Sequence, residues 1–125
     1  MIRLVGPINS GAATGGAGVA TNNADSTQII KGFVHEIRVT YNDSPPATTD
    51  VVIATKGTNA PAKTLLTLTN KNTSGWFKPR YAVHDNLGVA IANEYDREAI
   101  HDILNVSIAG ANNDDSVDVW LLLED

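Results

Sequence analysis

No cysteine occurs in the 125 residues, which excludes disulfide frameworks, Cys-ligated zinc and thiol nucleophiles. Charge is sparse as well. Only 18% of residues are charged, and a chain poor in Glu, Lys and Arg but rich in Thr, Asn, Ala and Gly favours strands and polar turns over helices. The 9 basic residues are scattered and outnumbered by 14 acidic ones, for a net charge of -5. Phosphate neutralisation needs clustered Lys and Arg, so no direct nucleic-acid partner is expected. Nowhere do 18 or so apolar residues run together, and no basic start leads into an apolar stretch, so no membrane partner is expected. The expectation is a soluble, unprocessed protein made in the cytoplasm. The sequence holds no GxSxG, HExxH or Gly-rich phosphate loop, so no enzyme and no cofactor are expected.

What is present is β-patterned sequence punctuated by turns. The organising stretch runs from Gln28 to Thr55. Phe33, Ile37, Val39 and Tyr41 alternate with Glu36, Arg38 and Thr40, the period of a half-buried strand. Asn42-Asp43-Ser44-Pro45-Pro46 then breaks the ladder, and Val51-Val52-Ile53 resumes a β-branched run, which predicts a chain that turns back on itself. Lys63 to Thr69 sets Leu66 and Leu68 on one face and Leu65 and Thr67 on the other. The turn cluster Asn70 to Gly75 then predicts a hairpin into a strand from Trp76 to Val83, with Pro79 marking an edge or a bulge. Val89 to Ala92 reads as a short strand. Ile100, Ile103 and Leu104 have helical spacing, so a turn or brief helical turn is expected up to His101 and a strand from Asp102 to Ala109. Ser116 to Glu124 closes the chain as a strand with Val117, Val119, Leu121 and Leu123 on one face.

The fold class that follows is all-β: an antiparallel β-sandwich of about seven or eight strands. Residues 28–125 form the sandwich domain. Residues 1–27, with the Gly/Ala/Thr/Asn-rich run from Asn9 to Asp25, form an N-terminal arm or edge segment, flexible or extended. The expected core includes Val39, Ile53, Leu66, Leu68, Val106, Val119 and Leu121.

Candidate chemistry is thin. His35-Glu36, His84-Asp85 and His101-Asp102 are sequence neighbours, which point to opposite faces of a strand and so form no dyad. Asn112, Asp114, Ser116 and Asp118 alternate like the start of a calcium loop but lack its central Gly and closing Glu, so a solvated hairpin tip is expected there and no metal. Asn72-Thr73-Ser74 and Asn105-Val106-Ser107 match the glycosylation sequon and read as turn and strand residues. The binding candidates are Trp76, Phe77, Arg80 and Trp120: aromatics on a flat sheet stack on sugar rings or fill interface pockets, although one of Trp76 and Phe77 must face inward.

Ile30-Lys31-Gly32-Phe33 through Tyr41, Ser44-Pro45-Pro46-Ala47-Thr48-Thr49-Asp50-Val51, Asn72-Thr73-Ser74-Gly75-Trp76-Phe77-Lys78-Pro79-Arg80 and Ser116-Val117-Asp118-Val119-Trp120 together resemble the jelly-roll decoration, or cement, proteins of tailed bacteriophage capsids. The likeness covers about residues 28–124 and lies in turn and strand motifs. It implies a jelly-roll-like sandwich on the capsid exterior that bridges major capsid protein subunits as a homo-oligomer, a dimer or else a trimer. The alternative left open by the residues is a carbohydrate- or receptor-binding module of a phage particle.

Overall fold

A computed structural model describes residues 1–59 and 61–125. Among them lie eleven strands and no helix: β1 Ile2–Asn9, β2 Ala20–Asp25, β3 Ile30–Asn42, β4 Asp50–Thr55, β5 Thr64–Leu68, β6 Gly75–Phe77, β7 Tyr81–His84, β8 Ala90–Asp96, β9 Ala99–Asp102, β10 Leu104–Ala111 and β11 Ser116–Glu124. One antiparallel sheet runs β1-β11-β3-β6, with β9 also on β3, and the other runs β2-β10-β4-β5. Successive strands mostly change sheet, and the chain-order pattern of the two sheets is that of a jelly roll. Side chains from both sheets, among them Val34, Ile37, Val39, Ile53, Val106, Ile108, Val119 and Leu121, form one buried cluster. Fully burying each such aliphatic side chain stabilises the fold by about 1.5–3 kcal/mol.

Alternation explains most of this core, and bulges explain where simple alternation fails. β11 keeps a perfect period of two, with Val117, Val119, Leu121 and Leu123 buried. β3 does not. Its pairing with β11 shifts between Leu122 and Leu123, which face Glu36 and Val34, so His35 is an extra residue and the phase inverts. Val34 is therefore buried, and Phe33, expected inside, points out. The same correction applies to β5, whose register on β4 shifts between Ile53 and Ala54. Leu65 and Leu68 enter the core there, whereas Leu66 is only partly buried.

Two expected hairpins are crossings between sheets instead. β3 and β4 belong to different sheets, as do β5 and β6. The Pro-rich segment after Asn42 and the Asn70 to Gly75 cluster carry the chain over the edge of the sandwich rather than back along its own strand. The helical turn expected before His101 is strand β9. Ile100 and Asp102 face inward there, and after one irregular residue Leu104 does so in β10.

Residues 1–27 are extended, and they are not a separate arm. β1 pairs along β11 and β2 along β10, so each is an edge strand of one sheet. Ile8, Ala13 and Ala20 reach the common core. Small residues suffice because an edge strand gains its hold from the ladder.

The other edge of β3 is occupied twice. β6 pairs with Ile37 to Val39, and β9 pairs with Ile30 to Phe33, both antiparallel. Between them, the Val34 amide donates to the Glu98 carbonyl, and Arg80 Nη1 donates to the His35 carbonyl at 3.1 Å. β6 and β9 are thus two halves of one jelly-roll strand, and the separate two-stranded hairpin β7-β8 is an excursion out of it.

Candidate functional site

Two surfaces stand out, and neither is a cleft of titratable groups. The first is the outer face of the β1-β11-β3-β6 sheet. Trp120 of β11 lies opposite Arg38 of β3, and Arg38 lies opposite Trp76 of β6, so the three side chains form one row across three strands. The Arg38 guanidinium carbon sits 5.8 Å from the centroid of the Trp76 ring, a cation–π distance. Trp76 is 50% exposed. With Leu4 and Thr40 these residues line a shallow, mostly apolar depression of about 240 Å³.

The row is held by its neighbours. Gly6 passes so close that a Cβ there would lie 2.7 Å from the Val119 carbonyl oxygen and 2.9 Å from Trp120 Cδ1. Only glycine lets the bulge of β1 approach Trp120, and its φ of 140° asks for glycine too. The next row is polar. Asn9 Nδ2 donates to Asp118 Oδ1 at 2.8 Å, and Asn42 Nδ2 donates to Asp118 Oδ2 at 3.2 Å and to Ser116 Oγ at 3.0 Å. On the other side Lys78 pairs with Glu36 at 3.1 Å. Both carboxylates that flank the row are therefore engaged, and among the described residues Arg38 forms no ion pair.

The second surface is the hairpin β7-β8. Every residue of β8 is exposed. Leu87 at the tip is 82% exposed, Val89 60% and Tyr95 63%. The tip is nonetheless ordered by its own bonds: Asp85 Oδ1 accepts from the amides of Leu87 and Val89 at 2.9 and 3.0 Å, and the Asp85 amide donates to the Val89 carbonyl at 2.9 Å. At the root the Tyr81 hydroxyl donates to the Leu65 carbonyl. Burial, with a smaller contribution from Glu98, pushes the Tyr81 hydroxyl up to about 12, so it stays a donor at any ordinary pH.

Of the four sequence candidates, Trp76 and Trp120 share a surface, although they lie far apart in the chain. Phe77 turns inward against the core, with Lys71 Nζ 5.7 Å from its ring. Arg80 is a strut, bonded to the carbonyls of His35 and Pro79. Arg38 escapes a search by residue type because nothing in its own stretch marks it; cross-strand register supplies its two indoles. The sequence marks the hairpin as two pieces, the end of the strand expected from Trp76 to Val83, which the structure divides into β6 and β7, and the short strand at Val89 to Ala92.

The remaining polar groups are structural. His35 fills the bulge, His84 lies on the hairpin and His101 on the exposed face of β9, so the three share no site. In the acidic turn, Asn112 Oδ1 accepts from the Gly18 amide, Asp115 Oδ2 from the Asn112 amide, and Asp118 from Asn9 and Asn42. These oxygens face protein donors rather than one another, and the described residues contain no cluster of acidic or histidine side chains able to hold a metal ion. Asp25 is kept ionised below the usual carboxylate range by Lys56 and then Asn105.

No family model matches the chain, and no curated protein matches it. Among solved structures, CBM32-3 from a family 31 glycoside hydrolase from Clostridium perfringens is similar at 12% identity, over 97% of this chain and 91% of that one, with a TM-score of 0.34. A likeness that weak carries no argument about fold or ligand, and the sandwich assignment rests on the strand pairings of this chain.

Proposed function

We propose that this protein is a non-catalytic structural component of a phage particle that decorates the capsid exterior and braces neighbouring major capsid subunits. The observation that carries the reading is the β7-β8 hairpin. It interrupts an edge strand that the sandwich could complete without it, and it exposes Leu87 and Val89 on an ordered turn and Ile91 and Tyr95 along β8. A two-stranded hairpin is marginal in water by itself, and apolar side chains at its tip gain most when a partner covers them. The partner proposed is the capsid surface. Self-association, as a dimer or a trimer, uses a free sheet edge, since β1 and β5 each end a sheet. An oligomer that bridges several capsid subunits gains from effective concentration, so modest contacts per subunit suffice.

The test mixes the purified protein with expanded capsids that lack it and measures stoichiometry and capsid melting temperature. Saturable binding with a raised melting temperature is expected. Absence of binding, or binding without stabilisation, overturns the bracing role. A second reading, a carbohydrate- or receptor-binding module of the same particle, is favoured by the row Trp76, Arg38, Trp120 on a flat outer face.

A further inference from the structure

We infer that the outer face of the β1-β11-β3-β6 sheet binds an acidic saccharide, a chain of pyranose rings bearing carboxylates, with Trp76 and Trp120 as stacking platforms and Arg38 as the carboxylate receptor. The inference rests on the second reading above and is independent of the hairpin. Strands in a sheet stand about 4.8 Å apart, so Trp76 and Trp120 spring from backbone positions roughly 10 Å apart on either side of Arg38, a span that linked pyranose rings cover. Indole faces suit the C–H face of a sugar, which is apolar and flat, whereas they give a fully polar chain nothing to stack on.

Charge selects the acidic kind. The protein is acidic overall, and a guanidinium on such a surface ordinarily pairs with a carboxylate. Glu36 and Asp118 are the acidic side chains on the rows beside Arg38, and Lys78, Asn9 and Asn42 already occupy them. Arg38 is therefore left with its fork of donors beside an aromatic ring and no anion. A carboxylate bound there makes charge-assisted, bidentate hydrogen bonds. Thr40, adjacent on the same face, offers a hydroxyl to the sugar. The neighbouring amides and carboxylate are fixed by one another, so ordering them costs little on binding.

The experiment titrates the full chain with oligogalacturonate, and in parallel with cello-oligosaccharides of equal length and with a proline-rich peptide, reading Trp fluorescence and calorimetric heat at low and high salt. Binding of oligogalacturonate that weakens with salt, at least about tenfold tighter than the neutral sugar, supports the inference. Arg38→Gln should lose about tenfold for the acidic sugar and little for the neutral one, and Trp76→Ala should lose both. Both positions are on the surface, and an unchanged melting temperature certifies the fold. Equal affinity for neutral and acidic sugars overturns the acidic inference while keeping a sugar-binding module. Binding of neither sugar overturns both, and binding of the peptide alone replaces the saccharide with an extended polyproline ligand.

Discussion

Thr58 donates both its amide and its hydroxyl to the carboxylate of Asp102, 44 residues further along the chain. The Gly57 and Ile103 amides also donate to that carboxylate, each at 2.8 Å. A carboxylate that accepts so many bonds is favoured in its charged form, and the Thr58 hydroxyl, followed by the backbone donors of Ile103 and Gly57, holds Asp102 below the usual carboxylate range against the opposing effect of burial. The folded-state value is depressed, so the stabilisation is full above the unfolded-state value near 3.8 and is lost as pH falls through the lower folded value. Asp102→Asn should lower the melting temperature at pH 7 and show a smaller further fall than the parent as pH drops from about 5 to about 2, across and below the unfolded-state value. Calorimetry across that range checks it, and parallel acid limbs would dissociate Asp102 from the acid sensitivity.

Leu121 is fully buried at the middle of β11, between β1 and β3. Its truncation leaves a cavity in a sheet-on-sheet core. Leu121→Ala is expected to destabilise the protein by about 2–5 kcal/mol, read as a lowered urea midpoint with an unchanged slope.

Gly110 adopts a φ of +62°, and a Cβ there would lie 2.3 Å from the Thr48 carbonyl oxygen. Thr48 Oγ1 donates back to the Gly110 carbonyl at 2.8 Å, so this close approach ties the crossing after β3 to β10. Gly110→Ala should cost about 1–3 kcal/mol, since backbone must move to admit the methyl group. Urea unfolding measures it.

Much of this architecture is readable from alternation, and the failures have physical causes. β11 is announced by Val117, Val119, Leu121 and Leu123 because both faces of that strand obey one period. β3 is announced only as far as Ile37, because a bulge at His35 is set by its partner strand and leaves no mark in its own sequence. Period-two patterns name strands but not partners, which is why the turns at Pro45-Pro46 and Asn70 to Gly75 read as hairpins when they cross between sheets. The Ile100, Ile103, Leu104 spacing imitates a helix because Asp102, a carboxylate, takes the inward place between Ile100 and Leu104 and hides a period of two that runs through both strands. Trp76 and Trp120 are visible singly in the sequence; their placement on either side of Arg38 is a product of register alone.

The hairpin should be dispensable for folding. Replacing Leu87, Val89 and Ile91 together by serine removes exposed apolar surface and no core contact. Each change is expected to alter stability by no more than about 0.5 kcal/mol, and circular dichroism with thermal melting checks that the sandwich persists.

The proposed docking of the β7-β8 hairpin onto a capsid is open to hydrogen exchange of the full chain, free and bound to expanded capsids. Amides of residues 81–96 should exchange quickly in the free protein and become strongly protected on the capsid, and the triple serine variant should lose both protection and binding. Capsid binding that leaves residues 81–96 unprotected, or that survives unchanged in the triple variant, would contradict the account.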